Sequence, residues 1–182
     1  YIPNSMETDN VGNVWVSDFQ DDAIGSQAYA NTNLWLTKGV WNGAANKYDY
    51  TNIAVPFVAD LDPNDGTALF QNEVRSVWSA NSQTGYLFTI SHYGDPNFTY
   101  SQNAYMPCFF KTTDGGATWT GPTMVSLNNM DTILGTPQTG YVWSMLFEFD
   151  VVLDNNDNPH LISNVFMLDP VAGQYLAGAG AF

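Results

Sequence analysis

Oxygen-bearing side chains are concentrated in the short stretch Asp60-Leu61-Asp62-Pro63-Asn64-Asp65-Gly66. Carboxylate and amide oxygens at alternate positions, followed by a glycine, are typical of a calcium-binding loop. On this interpretation the ligands are the side chains of Asp60, Asp62, Asn64 and Asp65. However, the glycine falls one place late and no glutamate occupies the twelfth position, so a simple Pro-Asn-Asp-Gly turn explains the same residues. Calcium is therefore a candidate cofactor, with a turn that holds no metal as the alternative.

The other side chains that bind metals or act as nucleophiles form no catalytic pattern. The one cysteine, Cys108, lies in an apolar run, so an internal disulfide and a cysteine-based zinc site are excluded. His92 and His160 are far apart, each in or beside a predicted strand, and are expected to be structural. The sequence contains no serine–histidine–aspartate arrangement, phosphate loop or nucleotide fingerprint.

Aromatic side chains offer a second kind of chemistry, the stacking of flat rings against sugars or partner proteins. Five of the six tryptophans fall within or beside predicted strands and are expected to pack in the core. The candidates for exposed ligand contacts are Trp41, Tyr93, Phe98 and Tyr100. An exposed aromatic patch of this kind favours glycan or protein binding.

The net charge narrows the range of partners. The 182-residue chain has a formal charge of −14, with four Lys and Arg residues against 18 Asp and Glu residues. This charge disfavours nucleic acid and anionic membrane surfaces. No stretch is long and apolar enough to insert into a bilayer. Metal cations and basic protein surfaces are the favoured partners.

The elements that carry these residues are predicted to be β-strands. Helical periodicity is almost absent, and short apolar, β-branched and aromatic runs alternate with Asn, Asp, Gly and Pro turns. A polar turn leading into an apolar strand occurs at 9–17 and again, 145 residues later, at 154–163, with a related segment midway at 81–89. This spacing predicts a repeat of about 73 residues.

Each repeat is predicted to hold four antiparallel strands. In the middle copy they are expected at 74–79, 86–92, 104–111 and 118–126. The first copy is expected to lack its opening strand and to begin at 14–19. Its segment 34–38 aligns with 108–112, which pairs residue 38 with residue 112. The third copy is expected to begin near 147 and to be incomplete.

One predicted hairpin turn has a residue pattern with a known structural meaning. Thr112, Asp114, Gly116, Thr118 and Trp119 form the run Thr-x-Asp-x-Gly-x-Thr-Trp. This run resembles the Asp-box of bacterial-neuraminidase-type (BNR) repeats, which are found in sialidase-like β-propellers. In those proteins the box is a structural turn, so the resemblance implies a fold and not an activity. Together with the Asp-Asn-x-x-Asn-Pro-His-Leu-Ile pattern at 154–162, it also resembles large secreted bacterial surface proteins, many of them cargo of the type IX secretion route.

The expected fold is therefore all-β, a β-propeller of four-stranded antiparallel blades. A propeller closes with four to eight blades, whereas this chain supplies about two and a half. We expect one partial propeller domain over 1–182, with blade 1 at about 1–58, blade 2 at about 74–126 and blade 3 from about 147 to 182. The rest of a larger propeller, in a longer chain or a complex, is expected to complete the ring.

The predicted connections fall into two classes at opposite faces. Tight turns are expected at 80–85, 112–119 and 154–159, and long loops at 20–32, 59–73, 93–103, 127–146 and 167–173. The long loops carry half of the acidic residues, so their face is expected to be strongly negative. Long loops on a rigid scaffold usually carry function, although acids in loops are often only hydrated.

The resemblance to sialidases implies a requirement for catalysis. Those enzymes use a tyrosine nucleophile and a cluster of three arginines that grip the substrate carboxylate. This chain has one arginine, Arg75, on a predicted innermost strand, where a structural ion pair is expected. Glu148 and Asp150 alternate inward on the next copy, with Tyr141 nearby, but a negative channel would repel an anionic sugar. No catalytic residue is therefore assigned in this segment.

The leading hypothesis is a non-enzymatic extracellular propeller module of the bacterial cell surface. It binds a glycan or a protein partner through its acidic long-loop face. One alternative is a sialidase-like glycoside hydrolase with most of its catalytic residues outside this segment. Another is a structural subunit of a cell-surface complex. Fold alone does not choose among these hypotheses.

Overall fold

The computed structural model describes residues 5–23, 29–61, 66, 68, 70–92, 104–127 and 134–176. These residues form three antiparallel sheets in chain order. The first sheet contains β1 (Ser5–Thr8), β2 (Val14–Ala23), β3 (Tyr29–Asn42) and β4 (Lys47–Pro56). The second contains β5 (Phe70–Trp78), β6 (Gly85–Ser91), β7 (Met106–Thr112) and β8 (Thr120–Met124). The third contains β9 (Val142–Leu153), β10 (Pro159–Asp169) and β11 (Gln174–Tyr175). Within this part of the chain, no helix has the length and apolar character needed to cross a membrane.

The prediction of an all-β fold with four-stranded antiparallel sheets is confirmed for the first and second sheets. The expectation that the first copy lacks its opening strand is wrong, because β1 pairs antiparallel with β2. Its sequence, Ser-Met-Glu-Thr, is short and mostly polar, so it gives almost no apolar signal. The predicted loop at 59–73 is also too long, since β5 begins at Phe70 and includes Glu73.

The three sheets pack face to face around two hydrophobic cores. The core between the first and second sheets contains Trp15, Leu34, Leu36, Val74 and Leu87. The core between the second and third sheets contains Phe88, Ile90, Met106, Met145 and Val165. Strand β6 supplies side chains to both cores, and every residue from Gly85 to Ser91 is buried. Burial on both faces explains why its sequence is nearly continuous in apolar character and does not alternate.

A lysine–aromatic contact shows that the first two sheets repeat the same geometry. The Lys38 ammonium lies 4.7 Å from the centre of the Trp15 ring, and the Lys111 ammonium lies 5.3 Å from the centre of the Tyr86 ring. Each lysine stands directly opposite its aromatic partner in the strand register. Lys38 therefore corresponds to Lys111, and the predicted alignment with Thr112 is wrong by one residue. Such a shift exchanges the two faces of a strand.

A tight turn follows the opening strand of each sheet, and the turns of the first and third sheets have the same hydrogen-bond pattern. Oδ1 of Asp9 accepts hydrogen bonds from the backbone N–H groups two and four residues later, at 3.1 and 2.8 Å. Asp154 accepts the same pair at 2.8 and 2.9 Å. The third residue after each aspartate has a positive φ, 87° at Gly12 and 61° at Asp157. In the second sheet the turn is one residue longer, and the hydroxyl of Ser79 accepts the backbone N–H of Thr84, five residues later, at 3.0 Å.

The two aspartate turns offer a matched test, because Asp9 is buried whereas Asp154 is partly exposed. Oδ2 of Asp9 also accepts hydrogen bonds from the side chains of Asn13 and Trp15, at 2.7 and 2.9 Å. We expect Asp9→Ala to lower the free energy of unfolding by about 2–3 kcal/mol, because it leaves buried donors unpaired. Asp154→Ala is expected to lower the free energy of unfolding by clearly less, because Asp154 is partly exposed. Denaturation in urea measures both losses, and equal values would contradict the role given to Asp9.

The turn at 112–119, whose sequence resembles an Asp-box, lies between β7 and β8. Oδ1 and Oδ2 of Asp114 accept hydrogen bonds from the backbone N–H and the hydroxyl of Thr118, at 2.9 and 2.6 Å. The hydroxyl of Thr112 also donates to Asp114, at 2.8 Å. These hydrogen bonds, those from Thr118 above all, lower the pKa of Asp114 to about 2. The indole N–H of Trp119 donates to the carbonyl of Gly116 at 3.2 Å. The last residue of the turn is therefore hydrogen-bonded to its middle.

A row of three tryptophans joins this turn to the first sheet. The rings of Trp15 and Trp78 stack with their centres 3.7 Å apart, and Trp119 meets Trp78 edge-on at 5.9 Å. Gly116, with a φ of 90°, leaves room for this packing. A Cβ at that position would lie 3.2 Å from the Trp78 ring and 3.4 Å from the Trp15 ring. The turn therefore helps to hold two neighbouring sheets together.

Tight turns and long connections lie at opposite ends of β6. At its start, the N–H of Gly115 donates to the carbonyl of Gln83 at 2.9 Å. Beyond its last residue, the N–H of Asp60, in the connection from β4 to β5, donates to the carbonyl of His92 at 3.2 Å. The predicted division into two faces is confirmed for these two connections.

Candidate ligand-binding site

The opening strands of the three sheets, β1, β5 and β9, converge on one cavity of about 780 Å³. The charged residues that line it are Glu7, Glu73, Arg75, Glu148 and Asp150. Residues two apart on a strand face the same side, which accounts for the pairs at 73 and 75 and at 148 and 150. The cavity therefore gathers four carboxylates and one guanidinium from three sheets, and we call it the acidic cavity.

Apolar side chains line part of the acidic cavity and are open to solvent. Met6 is 71% exposed and Ile162 is 58% exposed, whereas Phe149 is buried beside them. Ser163 and Asn164 add polar groups to the lining. Exposed apolar groups next to a few charged and polar groups are the usual lining of a ligand pocket.

One ion pair neutralises part of the charge. Nη2 of Arg75 lies 2.7 Å from Oε1 of Glu73, and the two side chains are 29% and 14% exposed. The structural ion pair expected for Arg75 is therefore present, and the pair also lines the acidic cavity. Three further carboxylates share the cavity with this single guanidinium, so its field is negative.

Burial, helped by neighbouring carboxylates, raises the pKa values of two acids in the cavity. Burial, together with the negative charge of Asp150, raises the pKa of Glu7 to about 7, against the opposing effect of Arg75. Burial also raises the pKa of Glu73, although its ion pair with Arg75 works in the other direction. A positive group that entered the acidic cavity would favour the ionised form of both acids. The site is therefore suited to a cationic ligand.

The calcium prediction is only partly covered by the structure. Oδ2 of Asp60 lies 2.8 Å from Nδ1 of His92 at the end of β6. Asp62, Asn64 and Asp65 lie outside the described residues. Among the residues that the structure does describe, no group of three or more His, Cys, Asp or Glu side chains is placed to hold a metal ion. Calcium binding by this loop stays a prediction.

Of the four aromatic residues predicted to contact a ligand, the structure describes one. Trp41 is 50% exposed and lies near the turn between β3 and β4, at the tight-turn end of the first sheet and away from the long connections. Tyr93, Phe98 and Tyr100 lie outside the described ranges.

The carboxylate–tyrosine arrangement that sequence analysis considered for Tyr141, and argued against, does not form. Tyr141 comes just before the first residue of β9, whereas Glu148 and Asp150 lie in its second half. Seven residues of extended strand place the Cα of Tyr141 roughly 20 Å from that of Glu148. A tyrosine nucleophile at this position is therefore too far away to work with either acid.

Sequence reasoning missed Glu7, although a usable signal was present. The Asp9 turn matches the Asp154 turn, and the Asp154 turn follows directly after β9. The repeat alone therefore predicts a strand just before Asp9. Alternation along that strand places Met6 and Glu7 on opposite faces, yet both line the acidic cavity at the strand's exposed edge.

Comparison with known proteins gives no family. No protein-family model matches the chain, and no curated protein matches it. The resemblance to Asp-box propellers therefore rests on the residues of the box and of the repeated turns. The function has to be inferred from the acidic cavity, its charges and its exposed apolar side chains.

Proposed function

We propose that the chain is part of a β-propeller that works as a non-enzymatic binding module, and that its ligand enters the acidic cavity. The observation that carries this proposal is the convergence of four carboxylates and one arginine from three sheets on a single cavity. The binding surface thereby moves from the long loops, where sequence analysis placed it, to the opening strands. A location at the bacterial cell surface stays a prediction from the sequence resemblance.

The repeated unit supports the propeller. The opening strands β1, β5 and β9 are neighbours in space, and a tight turn follows each of them, with one hydrogen-bond pattern after β1 and β9 and one extra residue after β5. Blades arranged around a centre bring their innermost strands together in this way. A closed ring needs four to eight blades, so further sheets, in a longer chain or a partner, would complete it. The Asp-box at 112–119 favours the same fold.

The charge of the acidic cavity favours a basic segment of a partner protein as the ligand. Glu148 and Asp150 are exposed acids, and Arg75 is already paired with Glu73. A lysine or arginine side chain can place its charged end among the carboxylates and its aliphatic stem against Met6. An anionic glycan would be repelled by the same field.

We expect a hexalysine peptide to bind the chain, and the double variant Glu148→Gln with Asp150→Asn to bind it about tenfold more weakly. The reason is that the variant removes two carboxylates that face the ligand while keeping the size of both side chains. Isothermal titration calorimetry at low and at physiological ionic strength measures the affinity. Binding is expected to weaken as salt screens the charges.

A second double variant provides the matched control. Asp49→Asn with Asp169→Asn makes the same change in net charge at one exposed and one partly exposed position, and neither residue lines the acidic cavity. It is expected to leave the affinity within about twofold of the wild-type value, because exposed charges are well screened. An equal loss in both double variants would mean that only the total charge matters, and would contradict a defined site.

One observation favours a second candidate function, glycoside hydrolysis. Glu7, with a pKa of about 7, lies near the negative charge of Asp150. An acid with a raised pKa beside a second carboxyl group resembles the pair that glycosidases use. Turnover of fluorogenic glycosides, a sialoside among them, that disappears in Glu7→Gln would contradict the non-enzymatic proposal.

A further inference from the structure

The β3–β4 hairpin projects beyond the rest of the first sheet. Strand β2 begins at Val14, opposite Gly39. Strands β3 and β4 continue to pair for three more rungs, as far as Asn42 opposite Lys47. This projection belongs to the outer strands of the sheet and is separate from the acidic cavity on the opening strands.

Three aromatic side chains share one face of the projection. Trp41 stands opposite Tyr48, and Tyr50 lies two residues further along β4, so alternation places all three on the same side. The ring centres of Trp41 and Tyr48 are 5.2 Å apart with their planes at 66°, and those of Tyr48 and Tyr50 are 6.2 Å apart at 33°. Trp41 is 50% exposed and Tyr50 is 63% exposed. We call this group the aromatic corner. The two tyrosine rings form its base, and the indole stands at a steep angle to the Tyr48 ring.

Gly39 determines how closely the Tyr48 and Tyr50 rings pack on the strand. A Cβ at this residue would lie 2.7 Å from Cε1 of Tyr50 and 3.4 Å from Cδ1 of Tyr48. Both tyrosine rings therefore lie against the backbone of Gly39, where a larger residue would push them outward. Rings held in this way form a preorganised surface, which reduces the entropy lost on binding.

The aromatic corner carries no charge, although the chain is strongly acidic. The charged residues of the projection, Lys47 and Asp49, alternate to its other side and lie 3.7 Å apart. Next to the corner, the hydroxyl of Thr37 donates to the side-chain oxygen of Asn52 at 2.9 Å. Asp18 lines the same small cavity as Thr37 and Asn52, so one carboxylate lies beyond this neutral pair. Flat rings bordered by hydrogen-bonding groups complement the C–H faces and hydroxyl groups of an uncharged sugar.

Another sheet is a poorer occupant of this surface. Where the first and second sheets pack together at this end, Trp15 stacks on Trp78, and Trp15 stands opposite Lys38. Trp41 lies three residues further out along β3 and, by alternation, on the face opposite to Lys38. A sheet that stacked on the first sheet at the same level would leave the rung of Trp41 and Tyr48 uncovered.

We propose that the aromatic corner of Trp41, Tyr48 and Tyr50 binds a neutral polysaccharide. A pyranose ring lies on the tyrosines with its edge against the indole, and its hydroxyl groups face Thr37 and Asn52. The chain then has two separate sites, the acidic cavity for a basic partner and the aromatic corner for an uncharged glycan.

The test is calorimetric titration of the chain with cellohexaose and with xylohexaose. We expect at least one of these neutral hexasaccharides to bind, and Trp41→Ala to lower its affinity about tenfold. Gly39→Ala is expected to weaken binding while all three rings are kept, because the added Cβ displaces Tyr50. Thermal melting of each variant checks that it is folded.

Val40→Ala is the matched control. Val40 is the neighbour of Trp41, is 46% exposed and lies on the opposite face of the hairpin, so its loss is expected to leave the affinity unchanged. The double variant Glu148→Gln with Asp150→Asn is also expected to bind the hexasaccharide normally. The proposal is overturned if neither hexasaccharide binds, or if Val40→Ala weakens binding as much as Trp41→Ala. It is also overturned if Trp41→Ala abolishes self-association of the chain in sedimentation experiments without changing sugar binding.

Discussion

Trp15→Ala is expected to lower the free energy of unfolding by about 3–5 kcal/mol, because the substitution opens a void between two sheets. The Trp15 side chain is fully buried, and its ring stacks on that of Trp78. Its indole N–H donates to Asp9 at 2.9 Å, and the ammonium of Lys38 lies over the ring. One substitution therefore removes a stacked ring, a hydrogen bond and a cation–π contact together.

Urea denaturation followed by circular dichroism measures this loss without relying on tryptophan fluorescence. Trp35→Ala is the matched control. Trp35 lies on the face of the first sheet that points away from the second sheet, is partly exposed and donates its indole N–H to Gln20. We expect it to cost about 1–2 kcal/mol. Equal losses for the two variants would show that the stacked tryptophans do not join the first and second sheets.

Glu7→Gln is expected to change how stability depends on pH. Folding raises the pKa of Glu7 from 4.5 to about 7, so the native state holds this proton more tightly than the unfolded chain does. Stability should therefore fall as the pH rises from about 4.5 to about 7, by ~1–2 kcal/mol after allowance for solvent screening. The variant cannot ionise, so we expect it to exceed the wild type in stability near pH 8 and to match it near pH 4.

Denaturant titrations at both pH values measure the effect. The aspartates of the tight turns have lowered pKa values, so they affect the pH dependence of stability in the opposite direction and at lower pH. Hydrogen bonds from Thr118 lower the pKa of Asp114, so the stability that this residue contributes is lost only as the pH falls below about 4. If Glu7→Gln and the wild type differed by a constant amount at every pH, the raised pKa of Glu7 would be wrong.

Local signals in the sequence predicted the strands and turns well. The spacing of Asp, Asn and Gly residues predicted the turn that begins at Asp154, because one carboxylate accepts the N–H groups of the turn that it starts. The apolar run after Gly85 predicted β6, since a strand buried on both faces needs no alternation.

Relationships between distant parts of the chain were harder to predict. Strand β1 is short and polar and is recognised mainly through its pairing with β2. The correspondence of Lys38 with Lys111 depends on strand register. Sequence similarity alone aligned Lys38 with Thr112, one residue away.

The acidic cavity was predicted only in part: Glu148 and Asp150 were expected to point inward, but the contribution of Glu7 was missed. Its walls come from three strands that lie far apart in the chain, and the raised pKa of Glu7 depends on burial that only packing creates.

The measurement that most directly tests whether the carboxylates of three sheets share one cavity is an NMR titration of the side-chain carboxyl carbon of Glu7. In the wild-type chain we expect its midpoint at about pH 7, because Glu7 is partly buried and faces Asp150. In Asp150→Asn the midpoint should move to lower pH, because the neighbouring negative charge is gone. A midpoint near 4.5 that is the same in both proteins would contradict the acidic cavity and the binding function proposed for it.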